Sequence, residues 1–337
     1  MAKKEKKKSS KAKKAVKIIA IILAIIIILP CSALFVITRD WESELREYDT
    51  GNSFITPLGT SMVAAHRSGG GIFPENTMMA FKGCVGSDEF KTDIFEFDLH
   101  ITKDDKLIIL HDETLDRTTD VVETLGVTDA VPENFTYDEL RQLNFGESFT
   151  DKDGNMPYKG LRGDEIPDDL KVLQLEDVLD FLEANGDYGY IIEIKNSNEL
   201  GYKSADMLYN TLKEKNMLDK VVVGTFNGEV TAYLDEAHPD MMRSASIKEV
   251  VKFYFDSLFK LNRPQGYYKY SALQIPANQF IIHLGTSRLV DYAHQNGIAV
   301  QFWTINDADD IKALYEIGAD GITTDVPDLA YQVILQQ

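Results

Sequence analysis

From residue 62 onward, short apolar segments alternate with stretches in which apolar residues recur at helical spacing. The apolar segments are five to eight residues long, which is an ordinary length for strands and short for helices. Parallel strands need long crossover connections, usually helices, so the alternation favours an α/β fold with a parallel sheet. The predicted strands are residues 62–66, 94–101, 107–111, 189–195, 221–226, 242–247, 273–277, 298–305 and 320–324.

The polar turn at residues 103–106 is too short to carry a parallel crossover, so the strands on either side of it should form an antiparallel hairpin. Folding about this turn sets His111 opposite Phe97 or Asp98. Without the return strand of the hairpin, eight strands remain in about 270 residues, which is the count of a TIM (β/α)8 barrel. A doubly wound open sheet is the alternative, although no glycine-rich nucleotide turn follows an early strand.

Two blocks fit no strand–helix unit. Residues 116–173 are rich in Asp, Thr, Gly and Pro, and we expect them to form an insertion over the C-terminal mouth of the barrel. In residues 251–270, one helical stripe is predicted to face the core, and the other aromatic residues are predicted to rim the mouth, where substrate or lipid head groups arrive. The stripe comprises Val251, Phe255, Leu258 and Phe259, and the rim comprises Phe253, Tyr254, Tyr267, Tyr268 and Tyr270.

The N-terminal part differs from the rest in composition. Residues 1–17 hold nine lysines and one acid, and residues 18–37 contain no charge. Twenty such residues span a bilayer core as a helix, and the lysines favour the cytoplasmic side. We therefore expect a single-pass anchor in the cell membrane with a cytoplasmic N-terminus, a stalk at 38–58 with a helical piece at 41–48, and an extracellular globular domain at 59–337. A cleaved signal peptide is the alternative, but the apolar run exceeds the usual secretory core.

The charge balance excludes some partners. The formal charge is −19, and because residues 1–17 contribute +8, the remainder carries −27. Nucleic acid needs a basic surface, so no nucleic-acid partner is expected. The same charge argues against tight docking of the globular part on anionic lipid. With only two cysteines, no disulfide framework is available, and the apolar core must supply the stability.

The strand at residues 94–101 carries polar residues on one face and large apolar residues on the other. Successive strand side chains point to opposite faces, so Glu96, Asp98 and His100 share a face. Two acids on a buried strand are unfavourable unless something binds them. Carboxylates suit a hard cation, and His111 on the return strand offers a proton-transfer group beside it.

Other predicted strands also end in polar side chains. His66 and Arg67 follow the first strand, Glu193 and Lys195 share a face at the end of another, and Trp303 lies on the penultimate strand. Barrel enzymes place their chemistry at the C-terminal ends of strands, so these side chains should converge. Each of them alone is compatible with a purely structural role, and their convergence indicates an active site.

Short polar segments recur in a fixed order along the chain. They are His66-Arg67, Pro74-Glu75-Asn76-Thr77, Glu96-Phe97-Asp98, Thr102-Lys103-Asp104-Asp105, His111-Asp112, Leu115-Asp116-Arg117-Thr118-Thr119, Glu193-Ile194-Lys195, Trp303-Thr304-Ile305-Asn306 and Gly321-Ile322-Thr323-Thr324-Asp325. From about residue 62 to about residue 329, their order resembles that of the glycerophosphodiester phosphodiesterase family. Ser68 and Asp105 stand where the family pattern has glycine.

The resemblance implies a TIM barrel that hydrolyses glycerophosphodiesters to glycerol 3-phosphate and an alcohol, with one divalent cation, Ca²⁺ or Mg²⁺. The two histidines would serve as general base and general acid, and the base would activate water or the neighbouring glycerol hydroxyl. The implied residues are Glu96, Asp98 and Glu193 for the metal, His66 and His111 for catalysis, and Arg67, Lys195 and Trp303 for substrate binding.

Two further functions stay open at this point. The same chemistry can act on lysophospholipids or on glycerophosphate polymers of the envelope. A barrel without turnover can bind phosphodiesters as a sensor, but such a binder has no need of both histidines together with all three carboxylates.

Overall fold

The computed structural model describes residues 31–32, 35–36, 39, 41–279 and 282–337. Among these residues, no helix combines the length and the apolar character needed to cross a membrane. The predicted lysine-rich tail at 1–17 lies outside the described residues, and so does the predicted transmembrane helix at 18–37 except for four positions.

Strands and helices alternate along the described chain, as the sequence pattern predicts. The strands are β1 (Met62–Ala65), β2 (Ile94–Ile101), β3 (Leu107–Ile109), β4 (Gly189–Ile194), β5 (Val221–Gly224), β6 (Ala272–Ile275), β7 (Asn278–Gln279), β8 (Ile282–His283), β9 (Ala299–Phe302) and β10 (Gly321–Thr324). The α-helices are α1 (Met78–Val85), α2 (Val121–Leu125), α3 (Tyr137–Leu140), α4 (Leu175–Asn185), α5 (Asn198–Glu214), α6 (Gly228–Ala237), α7 (Ile247–Leu258), α8 (Ser287–Gln295), α9 (Ala308–Glu316) and α10 (Pro327–Leu335).

Seven strands form a parallel sheet in the order β5-β4-β2-β1-β10-β9-β6. The gap between its two edges is closed by two parallel bridges, in which Arg243 pairs with Val223 and Ser244 pairs with Ala272. The predicted strand at 242–247 is thus reduced to these two residues. Eight positions surround the axis, which confirms a TIM-barrel-like parallel sheet.

The hairpin has the predicted antiparallel pairing of β2 with β3. Leu99 lies opposite Ile109, the last residue of β3, and the Leu110 backbone N–H donates to the Asp98 carbonyl at 3.0 Å. The regular pairing ends before His111, so the predicted position of His111 opposite Phe97 or Asp98 falls outside the strand pair. Asp105 sits in the turn with φ of 60°, a left-handed conformation that glycine adopts without strain. His111 follows the paired part of the hairpin and lines the same cavity as Glu96 and Asp98.

Alternation along β2 divides its side chains between two environments. Phe95 and Phe97 point outward and pack against Phe81 of α1, with ring centroids 5.7 Å apart in each pair. All three rings are fully buried. This packing fixes the face of β2 that meets the helices, and the polar side chains of β2 consequently point into the barrel.

Residues 41–58 lie against the barrel, so the predicted stalk is wrong. The Tyr48 hydroxyl donates to Asp291 Oδ1 at 2.9 Å, and Asn52 Nδ2 donates to the Gly297 carbonyl at 2.9 Å. No helix forms at 41–48. Phe54 is 3% exposed, and its ring packs into a layer of apolar side chains from the strands, which closes the N-terminal end of the barrel. This layer consists of Phe54, Ala64, Ile94, Ile191, Val222, Ala272 and Ala299.

The insertion at 116–173 packs against the hairpin around a small core of its own. It reaches the C-terminal ends of β2 and β4, where Glu133 Oε1 lies 2.7 Å from His100 Nδ1 and accepts a hydrogen bond from Asn196. None of its residues lines the central cavity described below. The insertion therefore lies at the C-terminal end of the barrel, as predicted, but it does not cover the cavity.

Helix α7 turns a different face to the barrel from the predicted one. Phe253 is fully buried and packs on Tyr292 and Tyr268, with centroids 5.1 and 5.0 Å apart. Val251 and Phe255, which were predicted to be core, are 51% and 44% exposed. The helix is apolar on two faces, so periodicity alone does not decide which one meets the barrel.

Candidate active site

Three carboxylates meet inside the barrel near the C-terminal ends of its strands. Glu96 and Asp98 come from β2 and are 6% and 1% exposed. Glu193 comes from β4, where the parallel register sets it beside Asp98. One oxygen from each of the three carboxylates lies within 4.8 Å of the others. The structure therefore brings together the three carboxylates that the family resemblance implies as metal ligands.

The carboxylates repel one another in this buried setting. Burial and the neighbouring Asp98 raise the pKa of Glu96 to about 7. Burial also raises the pKa of Glu193, where Lys195 opposes the shift and Asp98 adds to it. Burial alone would raise the pKa of Asp98 too, but Lys195 and His111 hold it below its ordinary value. Added positive charge would stabilise the cluster.

Lys195 supplies part of that charge. Its Nζ lies 2.9 Å from Asp98 Oδ1 and 2.8 Å from Glu193 Oε1. Burial would lower the pKa of Lys195, but the two carboxylates raise it above its ordinary value. The lysine therefore stays protonated at neutral pH and bridges two of the three acids.

The donor set fits a hard divalent cation. Carboxylate and amide oxygens are the ligands that Ca²⁺ and Mg²⁺ prefer. Asn76 Nδ2 lies 3.3 Å from Asp98 Oδ2, and among the described residues its buried Oδ1 has no hydrogen-bond partner. Glu96, Asp98 and Glu193 are the residues that can hold such an ion, with the amide of Asn76 beside them.

His66 follows β1 in a tight turn. Arg67 and Ser68 in this turn have φ of 48° and 62°. His66 Nδ1 lies 2.6 Å from Asp325 Oδ1, and its Nε2 lies 3.9 Å from Glu96 Oε2. Burial would lower the pKa of His66, but Glu96 and Asp325 raise it above its ordinary value. The hydrogen bond at Nδ1 leaves Nε2 as the nitrogen that can exchange a proton.

His111 is also held by a carboxylate at Nδ1, as His66 is, and that carboxylate has further hydrogen-bond partners. Its Nδ1 lies 2.7 Å from Asp112 Oδ1, and the Arg117 guanidinium binds Asp112 through Nε at 2.5 Å and Nη2 at 2.9 Å. Arg117 also binds both carboxylate oxygens of Glu75, at 2.9 and 2.6 Å. Burial is the largest influence on His111 and lowers its pKa, although Asp98 and Asp112 oppose the shift. Asp112 and Arg117 thus fix the imidazole in place.

Arg67 and Trp303 complete the predicted set. The Arg67 backbone N–H donates to Glu96 Oε2 at 2.8 Å, and its guanidinium lies 3.3 Å from Glu75 Oε1. Trp303 follows the last residue of β9. All eight predicted site residues line one cavity of about 390 Å³: His66, Arg67, Glu96, Asp98, His111, Glu193, Lys195 and Trp303.

The rim prediction for residues 251–270 is mostly wrong. Phe253 and Tyr270 are buried in the core, and of the five predicted rim residues only Tyr254 lines the cavity. Tyr267 instead packs beside Lys252, whose Nζ lies 3.8 Å from the centroid of its ring. Aromatic content alone did not distinguish core from rim in this block.

Sequence reasoning missed the side chains that hold the two histidines. Asp325, Asp112 and Arg117 all lie in segments that were noted for their pattern, but no role was assigned to them. The adjacency of β1 and β10 would have identified Asp325, because both strands end at the same rim. The first and last strands become neighbours only because the barrel closes, so the local sequence gave no sign of Asp325 as a partner of His66.

Comparison with known proteins shows what the chain is similar to. The model of the Glycerophosphoryl diester phosphodiesterase family matches residues 66–329. A glycerophosphodiester phosphodiesterase of Caldanaerobacter subterraneus subsp. tengcongensis is 28% identical over 277 residues, covering 81% of this chain and 98% of that protein. The mouse lysophospholipase D GDPD1 is 26% identical over 286 residues, covering 78% of this chain and 82% of that protein.

A solved structure supports the fold. The Oleispira antarctica phosphodiesterase in complex with the product sn-glycerol-3-phosphate superposes with a TM-score of 0.61 at 20% identity. The match covers 82% of this chain and 97% of that one. At this level of identity, the likeness shows a shared barrel.

Proposed function

The chain belongs to the glycerophosphoryl diester phosphodiesterase family, and from that premise we propose how its barrel mouth carries out the reaction. As a member of this family, it is an enzyme that hydrolyses glycerophosphodiesters. One water is consumed, and a phosphate monoester and an alcohol are formed. The observation that carries the proposed mechanism is the placement of three carboxylates and two carboxylate-held histidines around a single cavity.

In the proposed mechanism, Glu96, Asp98 and Glu193 hold one divalent cation, Ca²⁺ or Mg²⁺. The bound ion would polarise the phosphodiester and offset the negative charge that builds on its oxygens. Arg67 and Lys195 bind the remaining phosphate oxygens, the arginine with a planar fork and the lysine as a point charge. The mutual repulsion of the three carboxylates supports this assignment, because a bound cation would offset it.

His66 and His111 carry the two proton transfers. Asp325 and Asp112 accept hydrogen bonds from the Nδ1–H groups, which leaves Nε2 of each imidazole to take up or release a proton. One histidine removes a proton from the nucleophile, either water or the neighbouring glycerol hydroxyl. The other donates a proton to the departing alcohol oxygen, so charge does not accumulate on either oxygen.

The proposal is tested by turnover of full-length protein on a panel of glycerophosphodiesters and lysophospholipids, with and without chelator. We expect release of the head-group alcohol that stops on chelation and returns with Ca²⁺ or Mg²⁺. Binding without turnover across the panel would instead favour the phosphodiester sensor. Including a glycerophosphate polymer in the panel tests the envelope substrate.

We also propose that residues 18–37 anchor the enzyme in the cell membrane, with the barrel outside the cell. Nine lysines before twenty uncharged residues support this orientation. Protease added to intact cells should remove the barrel and spare the lysine-rich tail. Protection of the barrel in unbroken cells would contradict the proposal.

A further inference from the structure

Helix α7 carries a row of large apolar side chains in contact with water. The row members follow one another at intervals of four residues, so they lie along one side of the helix. An exposed apolar patch of this extent on a folded domain indicates a surface that contacts another molecule or a membrane. The row consists of Ile247, Val251, Phe255 and Phe259, with exposed fractions of 63%, 51%, 44% and 64%.

The row borders the mouth of the active-site cavity. Its first three members line the cavity, and so does Phe226, which lies two residues beyond the end of β5 and is 61% exposed. The Phe226 ring meets Trp303 edge to face, with centroids 6.1 Å apart. The exposed apolar surface therefore belongs to the end of the barrel at which the cavity opens.

The N-terminal segment runs along helix α8 from the closed end of the barrel to the mouth. Asn52 Nδ2 donates to the carbonyl of Gly297, which lies just before β9 and thus at the N-terminal end of the strands. The Ser43 backbone N–H donates to Oγ of Ser287, the first residue of α8, at 3.0 Å. In a barrel of parallel strands the helices begin near the C-terminal ends of the strands, so Ser43 lies on the mouth side.

The start of this segment lies beside the last turn of α7. The Arg288 backbone N–H donates to the Trp41 carbonyl at 3.3 Å, and the Arg288 guanidinium lies 5.1 Å from the centroid of the Trp41 ring. The same guanidinium donates to the carbonyls of Ser257 and Leu258 at 3.2 and 3.1 Å. The uncharged run at 18–37 ends four residues before Trp41, which is at most about 14 Å of extended chain. A membrane anchor in this run therefore leaves the barrel next to α7.

Basic side chains flank the apolar row. The two acids of α7 are already paired, because Arg243 binds Glu249 at 2.9 Å and Arg263 binds Asp256 at 2.9 Å. A helix with one apolar face and lysines beside it is the type that lies in the interface of a bilayer, with the lysines near the lipid phosphates. The exposed lysines, each one residue beyond a member of the row, are Lys248, Lys252 and Lys260.

We propose that the α7 row and Phe226 lie in the interface of the bilayer that holds the anchor, so that the mouth of the barrel faces the membrane. The inference rests on the proposed anchor at residues 18–37 and adds the orientation of the barrel. The apolar side chains enter the boundary between head groups and acyl chains to a depth of about 5–10 Å. The anchor and the row hold the barrel at two points, which fixes one orientation.

The position of the anchor favours a bilayer over a second copy of the chain as the occupant. A short tether gives the attached surface an effective concentration in the range of about mM, so a weak interfacial affinity is sufficient. Two copies of a domain with a net charge of −27 repel each other. The same charge opposes electrostatic docking of the barrel on anionic lipid, so insertion of apolar side chains has to supply the affinity.

The test uses full-length protein in phosphatidylcholine nanodiscs that hold one copy each, with a fluorophore on one introduced cysteine. Cys31 is replaced by serine, and the buried Cys84 is shielded from the label. Phe255→Cys places the label in the row. Leu335→Cys is the matched control, because Leu335 is an apolar residue that is 70% exposed at the end of α10. That end lies on the side of the barrel opposite the mouth.

We expect nitroxide groups on the lipid acyl chains to quench the label at position 255 severalfold more than the label at position 335. Iodide in the water should quench the label at position 335 more. Phe259→Asp, added to Phe255→Cys, should reduce quenching by the lipid nitroxide severalfold, because a carboxylate resists leaving water. Phe259 does not line the cavity, so this substitution tests the row outside the active site.

Quenching at position 255 by iodide alone would mean that the row faces water. Quenching by neither agent would mean that protein covers the row. Either result overturns the docked orientation while the anchor stands. Protein that does not remain in the nanodiscs would refute the anchor and the docked orientation with it. Turnover is not part of this readout, so the proposed phosphodiesterase activity stands or fails separately.

Discussion

His66 Nδ1 lies 2.6 Å from Asp325 Oδ1, and this contact joins the end of the first barrel strand to the end of the last. Asn306 holds the carboxylate in turn. Its Nδ2 donates to Asp325 Oδ2 at 2.6 Å, and its Oδ1 accepts from the Asp325 backbone N–H at 2.9 Å. The pairing of β1 with β10 therefore orients the His66 imidazole beside Glu96, Asp98 and Glu193.

Replacing Asp325 with asparagine should lower both kcat and the pKa of His66. Glu96 and Asp325 together outweigh the effect of burial on this imidazole, so removing one carboxylate shifts its pKa downward. Loss of the fixed tautomer should reduce kcat by roughly 10²-fold or more. The pKa is measured by NMR titration of the imidazole protons, and the exposed Asp310→Asn is the control. An unchanged pKa in Asp325→Asn would contradict the account.

Arg117 should act on catalysis through Asp112. It binds Asp112 and Glu75 with two hydrogen bonds each, so Arg117→Gln frees the carboxylate that holds His111. We expect kcat to fall about 10-fold, because Asp112 then orients the His111 imidazole less firmly. KM should change little, because Arg117 does not contact the substrate in this account. Arg117→Lys should not restore kcat, because lysine lacks the planar fork.

The control for Arg117 is Arg141→Gln, which breaks an ion pair with Asp168 elsewhere in the insertion. Steady-state kinetics on glycerophosphocholine distinguish the two variants. A rise in KM alone in Arg117→Gln would indicate that this arginine binds substrate and does not position His111.

Loss of either active-site histidine should lower kcat strongly. His66→Ala and His111→Ala each remove a proton-transfer group, with an expected reduction of roughly 10²–10⁴-fold. The p-nitrophenyl ester of glycerol phosphate releases p-nitrophenolate, which departs without protonation. This substrate should therefore rescue only the variant that lacks the general acid. Rescue of both variants, or of neither, would contradict a division of acid and base between them. His238→Ala, which breaks a contact with Asp206, serves as the control.

The segment before the barrel should contribute to stability. Phe54 is buried at the N-terminal end of the barrel, so Phe54→Ala should lower the free energy of unfolding by about 3–5 kcal/mol. Urea denaturation measures the change. Phe259→Ala removes a phenyl ring that is 64% exposed and should alter stability by about 0.5 kcal/mol or less. Equal effects of the two substitutions would mean that Phe54 does not seal the barrel.

The sequence was most informative where a local pattern meets a strict geometric requirement. Alternation along β2 predicted that Glu96 and Asp98 share a face, and the short turn predicted the hairpin that carries His111. Ser68 and Asp105 stand where the family has glycine, and the structure gives the reason for that glycine. Both residues have φ near 60°, in the left-handed region that glycine enters at no steric cost.

The sequence was least informative where tertiary contacts choose between two allowed arrangements. Helix α7 is apolar on two faces, and only the barrel decides that Phe253 is buried and Phe255 exposed. The segment at 38–58 was predicted to be a stalk, but residues 41–58 dock on the barrel through distant partners such as Asp291. His66 and Asp325 lie 259 positions apart in the sequence, so no local pattern predicts the contact between them.

The most direct test of the central claim is thermal stability and turnover of Glu193→Gln, measured with Ca²⁺ or Mg²⁺ and after exhaustive chelation. In wild-type protein, an ion at about 100 times its Kd should add roughly 2.7 kcal/mol of stability and restore turnover of glycerophosphocholine. Glu193→Gln should lose both effects together, and the exposed Glu199→Gln should keep both. Full turnover of Glu193→Gln after chelation would contradict a metal site built from Glu96, Asp98 and Glu193.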